Sequence, residues 1–66
     1  MKPQQYPWLK LKKGEGFFVP SLNPDRTIRE ARDAAYNADY RLRIEWRVGS
    51  MHGLYGVLFI RLNGAA

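Results

Sequence analysis

The sequence contains no cysteine and only one histidine, His52, among 66 residues. Without cysteine it can form neither a disulfide framework nor a thiolate metal site, and one histidine does not make a metal cluster. Nucleophilic catalysis needs a serine or cysteine beside a base and an orienting group, yet His52 lies at a predicted hairpin tip beside Met51 and Gly53. We therefore expect no metal, no cofactor and no enzymatic activity.

Long apolar runs are also missing. The longest run, residues 54–60, is far shorter than the about 20 residues that a membrane-spanning helix requires. The first residues lack the apolar segment of a signal peptide. Together with the absence of cysteine, these features favour a soluble cytoplasmic protein that is not embedded in a membrane.

Acidic residues are scarce relative to basic ones. The chain has 11 Lys and Arg against 6 Asp and Glu, which gives a net charge of +5 and a pI near 10.0. Such an imbalance favours an acidic partner, with nucleic acid ahead of an anionic membrane. A chain of this length buries only about 60% of its unfolded surface. We therefore expect low stability unless the chain dimerises or binds a partner.

The first half of the chain predicts a flexible arm at residues 1–7 followed by a β-hairpin. Residues 8–12 alternate between apolar and polar, which is typical of a strand. Gly14 and Gly16 permit a tight turn, and they lack the spacing and following helix of a phosphate-binding loop. Residues 17–19 form the second predicted strand, which Pro20 ends.

A helix is predicted over residues 25–38. Asn23 and Pro24 fit an N-cap followed by proline at the first helical position. The stripe facing the sheet is narrow and mostly alanine: Ile28, Ala31, Ala35 and Ala38. Three pairs of opposite charge are spaced i,i+4, namely Asp25 with Arg29, Arg26 with Glu30, and Arg29 with Asp33.

Residues 40–62 predict a second hairpin. A register with Val48 opposite Leu54 and Trp46 opposite Gly56, across a turn at residues 49–53, places one wholly apolar face toward the helix. The predicted core is then Tyr40, Leu42, Ile44, Trp46, Leu58, Ile60, Ile28 and Ala35. The expected fold is a small α+β domain of order β-β-α-β-β at residues 8–62. Its antiparallel sheet carries one helix on one face, and residues 63–66 form a tail.

The other face of this predicted hairpin combines arginines with aromatic rings, a combination that neutralises phosphates and stacks on bases. Arg41 opposite Arg61 is a destabilising like-charge pair, which a bound phosphate would relieve. The candidate nucleic-acid site, for DNA or RNA, is Arg41, Arg43, Arg47, Tyr55, Phe59 and Arg61, together with Lys10 and Lys12 on the first predicted strand.

Other interpretations remain open for these residues. Tyr55, Val57 and Phe59 could form a homodimer surface, and the last strand is apolar on both faces, so we expect a homodimer. Lys10 and Lys12 could protect an edge strand from aggregation. On the helix, Arg29, Arg32 and Tyr36 form a competing basic patch that could enter a major groove.

The segment Gly14-Glu15-Gly16-Phe17-Phe18-Val19-Pro20, followed by an alanine-rich helix and a basic strand pair, resembles a group of small bacteriophage-encoded proteins. The resemblance covers roughly residues 8–62. It implies a phage setting inside a bacterial host cell and carries over no functional residue, because members are generally of unknown activity. We expect a small basic protein that binds nucleic acid and could act as a regulator. The alternative is a protein-interaction module such as a phage inhibitor of a host enzyme.

Overall fold

One antiparallel sheet and one helix form the two layers of the fold. The computed structural model describes residues 6–64. Its elements are β1 (Gly16–Pro20), α1 (Pro24–Ala38), β2 (Ile44–Met51) and β3 (Leu54–Arg61), preceded by a 3₁₀ turn at Trp8–Lys10. Strand β3 lies between β1 and β2 and is antiparallel to both. The predicted α+β class, with one antiparallel sheet and one helix, is confirmed.

The prediction of a strand at residues 8–12 is wrong, so the order of elements is β-α-β-β. Residues 8–10 form the 3₁₀ turn instead, with Lys10 N–H donating to the Pro7 carbonyl. The reason is Trp8, which is turned into the space between helix and sheet, where its Nε1 donates to the Ala31 carbonyl at 3.1 Å. Residues 1–5 of the predicted arm and 65–66 of the predicted tail lie outside the described residues.

The helix follows its sequence signals closely. The Asn23 side chain accepts a hydrogen bond from Arg26 N–H at 3.3 Å, and Pro24 occupies the first turn. At the other end, Asp39 N–H donates to the Ala35 carbonyl before the chain becomes extended. Ala31 and Ala35 are buried against the sheet, so the small side chains bring the helix close to it.

The predicted register of the second hairpin is wrong because its turn is shorter than expected. Met51 pairs with Leu54, which leaves only His52 and Gly53 in the loop. Their φ angles of 53° and 80° are both positive, as a type I′ turn requires. Trp46 therefore pairs with Phe59. The shift is by an odd number of residues, so it exchanges the two faces of β3 relative to β2.

This exchange changes the composition of the core. Val57 and Phe59 point toward α1 and are fully buried, whereas Leu58 and Ile60 lie on the opposite face and are only half-buried. Tyr40, another predicted core residue, is 72% exposed. The observed core is Trp8, Val19, Ala31, Ala35, Val57 and Phe59, with Ile28, Leu42, Ile44 and Trp46 at its margin.

Aromatic rings from four separate positions make up one end of the core. Trp8 meets Phe17 and Phe59 edge-on, with ring centroids 5.0 and 5.9 Å apart. Tyr6 packs against the same two phenylalanines at 5.8 and 6.4 Å. Edge-to-face and tilted pairs at these distances add stabilisation beyond simple burial.

Candidate nucleic-acid interface

The structure does not bring the predicted arginine and aromatic residues together on one sheet face. Phe59 is fully buried beneath α1, so it cannot stack on a ligand. The physical reason is the two-residue turn, which places Phe59 beside Trp46 on the helix side of the sheet. Tyr55 lies on that same side near the hairpin tip and is 48% exposed, whereas Arg47 points to the opposite face.

Arg61 has a structural role. Its guanidinium donates to three carbonyl oxygens: those of Trp8 at 3.0 Å, Leu11 at 2.8 Å and Asn63 at 2.7 Å. These bonds attach the segment before β1 to the end of β3. They use three of the five N–H donors of the guanidinium, those on Nε and Nη1, and so hold Arg61 in a structural position.

Arg41 is paired with a carboxylate. Its Nε and Nη2 donate to Asp39 at 3.2 and 3.3 Å, and the Arg41 backbone N–H adds a bond of 2.9 Å. These hydrogen bonds lower the pKa of Asp39 and raise that of Arg41. The predicted cross-strand pair of Arg41 with Arg61 is wrong, because Arg61 pairs with Ile44 in the observed register. Lys10 and Lys12 are exposed on the segment before β1, which Arg61 attaches to the end of β3.

A different basic surface lies between the C-terminal half of α1 and strand β2, which is an edge of the sheet. We call it the α1–β2 groove. It is a concavity of about 610 Å³. Its lining includes three arginines and three aromatic residues: Arg29, Arg32, Arg43, Tyr36, Tyr40 and Trp46. Asp33 is its one acidic residue, and Leu42, Ile44 and Leu62 form part of its floor and margin.

The three groove arginines have no carboxylate partner within 4.0 Å among residues 6–64, where the only ion pairs are Arg26–Glu30 and Arg41–Asp39. Arg32 instead lies over the Trp46 ring, 5.1 Å from its centroid. This cation–π contact holds the guanidinium at the groove wall. The groove therefore carries a net positive charge.

Asn63 fixes the position of Arg43 at the groove margin. Its side-chain oxygen accepts from Arg43 N–H at 2.8 Å, and its amide nitrogen donates to the Arg41 carbonyl at 2.9 Å. Leu62 N–H also donates to the Arg43 carbonyl. These bonds continue the β2–β3 pairing beyond its last strand residues. Arg43 itself is exposed.

Tyr36 and Tyr40 give the groove exposed rings, with 69% and 72% of their surfaces accessible. Sequence reasoning identified Arg29, Arg32 and Tyr36 as a competing patch but placed Tyr40 and Trp46 in the core. Trp46 lies on the helix side in both the predicted and the observed register, but it is only half-buried there. Nothing in the local sequence indicates that Arg43 lines the same concavity as the helix arginines, because the Asn63 side chain that holds the Arg43 backbone is 20 residues away.

No protein-family model, curated protein or solved structure matches this chain. The resemblance to bacteriophage-encoded proteins stays a prediction. Over residues 6–64, no three histidine, cysteine or acidic side chains cluster in a way that could hold a metal ion. Within the same range, no helix is both long and apolar enough to span a membrane.

Proposed function

We propose that this protein binds nucleic acid in the α1–β2 groove, where arginines contact phosphates and exposed rings stack on unpaired bases. The observation that carries the proposal is the convergence of Arg29, Arg32 and Arg43 on a concavity that also exposes Tyr36 and Tyr40. Arginine binds phosphate through a planar fork and stacks on flat rings. The proposal assigns no catalytic role to any residue.

The shape of the groove supports a single strand over a duplex. Arg29 and Arg32 face a concavity closed on one side by β2. A recognition helix, in contrast, must project its side chains into a major groove about 12 Å wide. Base stacking on an aromatic side chain contributes about 1 to 3 kcal/mol per base and tolerates any sequence. We expect weak sequence preference, because phosphate contacts position a ligand without reading its bases.

The test is fluorescence anisotropy with labelled single-stranded DNA and RNA oligonucleotides and their duplexes at about 50 mM salt, where phosphate contacts are strong. Replacing both Arg29 and Arg32 with Ala should weaken single-strand binding by about tenfold or more, which corresponds to about 1.4 kcal/mol. Tyr36→Ala leaves the charge unchanged and should also weaken binding, because it removes a stacking surface.

Lys10→Ala combined with Lys12→Ala is the matched control. It removes two exposed cations that lie outside the groove, so it should change affinity by no more than about twofold if binding is localised. Equal losses from the two double variants would mean nonspecific charge attraction. No binding by the unmodified protein to any of the nucleic acids would refute the proposal and favour a protein partner instead.

A further inference from the structure

The sheet face opposite α1 is apolar along its centre, and no element covers it among residues 6–64. We call it the open sheet face. Leu58 and Ile60 of β3 and Phe18 of β1 are half-buried there. Strand β2 adds one acid and one base, Glu45 and Arg47, both exposed. Three glycines, Gly16, Gly49 and Gly56, also lie on this face, and Pro20, Met51 and Leu54 extend it toward the hairpin tip.

The strand pairing arranges these residues in two parallel rows across the sheet. One row consists of Glu45, Ile60 and Gly16. The other consists of Arg47, Leu58 and Phe18. Between them runs the row of Trp46, Phe59 and Phe17, whose side chains point to the helix side, so that only backbone faces outward there.

We propose that the open sheet face binds a second copy of this chain through a two-fold axis along the middle row. Rotation about that axis places the row that contains Glu45 over the partner's row that contains Arg47, and the row that contains Arg47 over the partner's row that contains Glu45. Glu45 then faces the partner's Arg47, and Leu58 faces the partner's Ile60. Phe18, whose ring packs over Gly56 of its own sheet, lies opposite the partner's Gly16. A two-fold interface must be complementary to itself, and all three strands of this face meet that condition.

The chemistry of the face favours a second copy over a polyanion. Glu45 and Arg47 cancel in charge, so the face lacks the positive potential of the α1–β2 groove. Sheets that stack face to face lie about 10 Å apart with strands within about 30°, and glycine allows another backbone to approach closely. The dimer buries the apolar rows and keeps the charged residues at its rim.

The experiment is sedimentation analysis of the full chain at high micromolar concentration. The unmodified protein should show twice its chain mass of 7.7 kDa. Glu45→Arg sets like charges against each other at two symmetric positions, so it should raise the dimer dissociation constant by about tenfold or more. Arg47→Glu should do the same. The double variant with both changes restores opposite charges and should recover dimerisation to within about threefold.

Glu30→Arg is the matched control, because it reverses an exposed acid on α1, away from the open sheet face. It should leave the mass unchanged. Leu58→Asp tests the apolar row independently and should give a monomer, with circular dichroism confirming that it is folded. A monomeric unmodified protein would overturn the proposal. So would a dimer that is insensitive to Glu45→Arg and Leu58→Asp, since it would use another surface.

Discussion

Arg61 shows how one side chain can join two distant parts of a small chain. Its guanidinium reaches carbonyls of Trp8 and Leu11, 53 and 50 residues earlier in the sequence. Because the segment from Trp8 to Leu11 contains no strand, these bonds replace the ladder that would otherwise attach it to the sheet. The charge of Arg61 is therefore used for folding.

Arg61→Ala should lower the free energy of unfolding by about 1.5 to 3 kcal/mol, the range for hydrogen bonds from a charged group. Arg61→Lys keeps the charge but lacks the planar fork, so it should recover only part of this loss. Urea unfolding followed by circular dichroism measures both. Lys10→Ala, an exposed control in the same segment, should change stability by less than about 0.5 kcal/mol. Full recovery by lysine would contradict the hydrogen-bond account.

The two tryptophans differ in burial, so we expect their replacement to have different effects on stability. Trp8 is 1% exposed and hydrogen-bonded to Ala31, whereas Trp46 is half-buried at the α1–β2 groove. Trp8→Ala should cost about 3 to 5 kcal/mol, since it leaves a cavity in the core. Trp46→Ala should cost clearly less. Thermal unfolding of both variants decides the order, and a greater loss from Trp46→Ala would mean that Trp46, not Trp8, anchors the core.

At the scale of elements, two paired glycines on neighbouring strands have different surroundings. A Cβ on Gly56 would overlap the Val19 carbonyl oxygen and lie 2.8 Å from Pro20 Cα, both backbone atoms of β1. A Cβ on Gly49, its partner on β2, would meet nothing within 4 Å. Gly56 therefore lets β1 approach β3, while Gly49 faces open space.

Gly56→Ala should destabilise the fold by about 1 to 3 kcal/mol or more, because backbone must move to admit the methyl group. Gly49→Ala should be close to neutral, within about 0.5 kcal/mol. Chemical denaturation of the two variants at low protein concentration, which limits any effect of association, measures the difference. Similar losses at the two positions would show that the β1–β3 spacing is not the cause.

The elements that sequence reasoning predicted well are those with local signals. Helix α1 has its cap, its first-turn proline and its alanine stripe within its own residues, so the prediction needed no tertiary information. The register of β2 and β3 depends on whether His52 adopts a positive φ, which is uncommon for a residue other than glycine. Histidine-glycine is a weaker turn signal than asparagine-glycine. The predicted register instead gathers the apolar residues of the hairpin on one face, which requires the five-residue turn and assigns the two faces of β3 the wrong way round.

The candidate site was only partly predictable for the same reason. Arg29, Arg32 and Tyr36 are recognisable from helical spacing alone. That Arg43 lines the same groove depends on the path of the chain between α1 and β2, whose backbone the Asn63 side chain holds. Trp8 likewise belongs to a segment that alternates between apolar and polar residues as a strand would. Only the space beneath Ala31 explains why its side chain turns inward. Contacts over such sequence separations have no signature in a local pattern.

At the scale of the whole molecule, the two proposed surfaces lie on opposite sides of the sheet. The α1–β2 groove is on the helix side, and the open sheet face is on the other. The proposed two-fold axis stacks β2 on the partner's β2, so both grooves would lie along one edge of the dimer. The two proposed interactions therefore use different residues, and we expect that each can be removed without the other.

Salt dependence gives the last prediction, because it counts the phosphates that the groove contacts. Each phosphate contact to a single strand contributes about −0.7 to the slope of log K against log salt concentration. Three groove arginines predict a slope of about −2 for the unmodified protein, reduced to about −0.7 when Arg29 and Arg32 are replaced by Ala. The double variant of Lys10 and Lys12 should keep the full slope. Titrations in increasing sodium chloride with a single-stranded oligonucleotide measure it. If the net charge of +5 acted as a diffuse field, both double variants would flatten the slope equally, and binding could not be assigned to the groove.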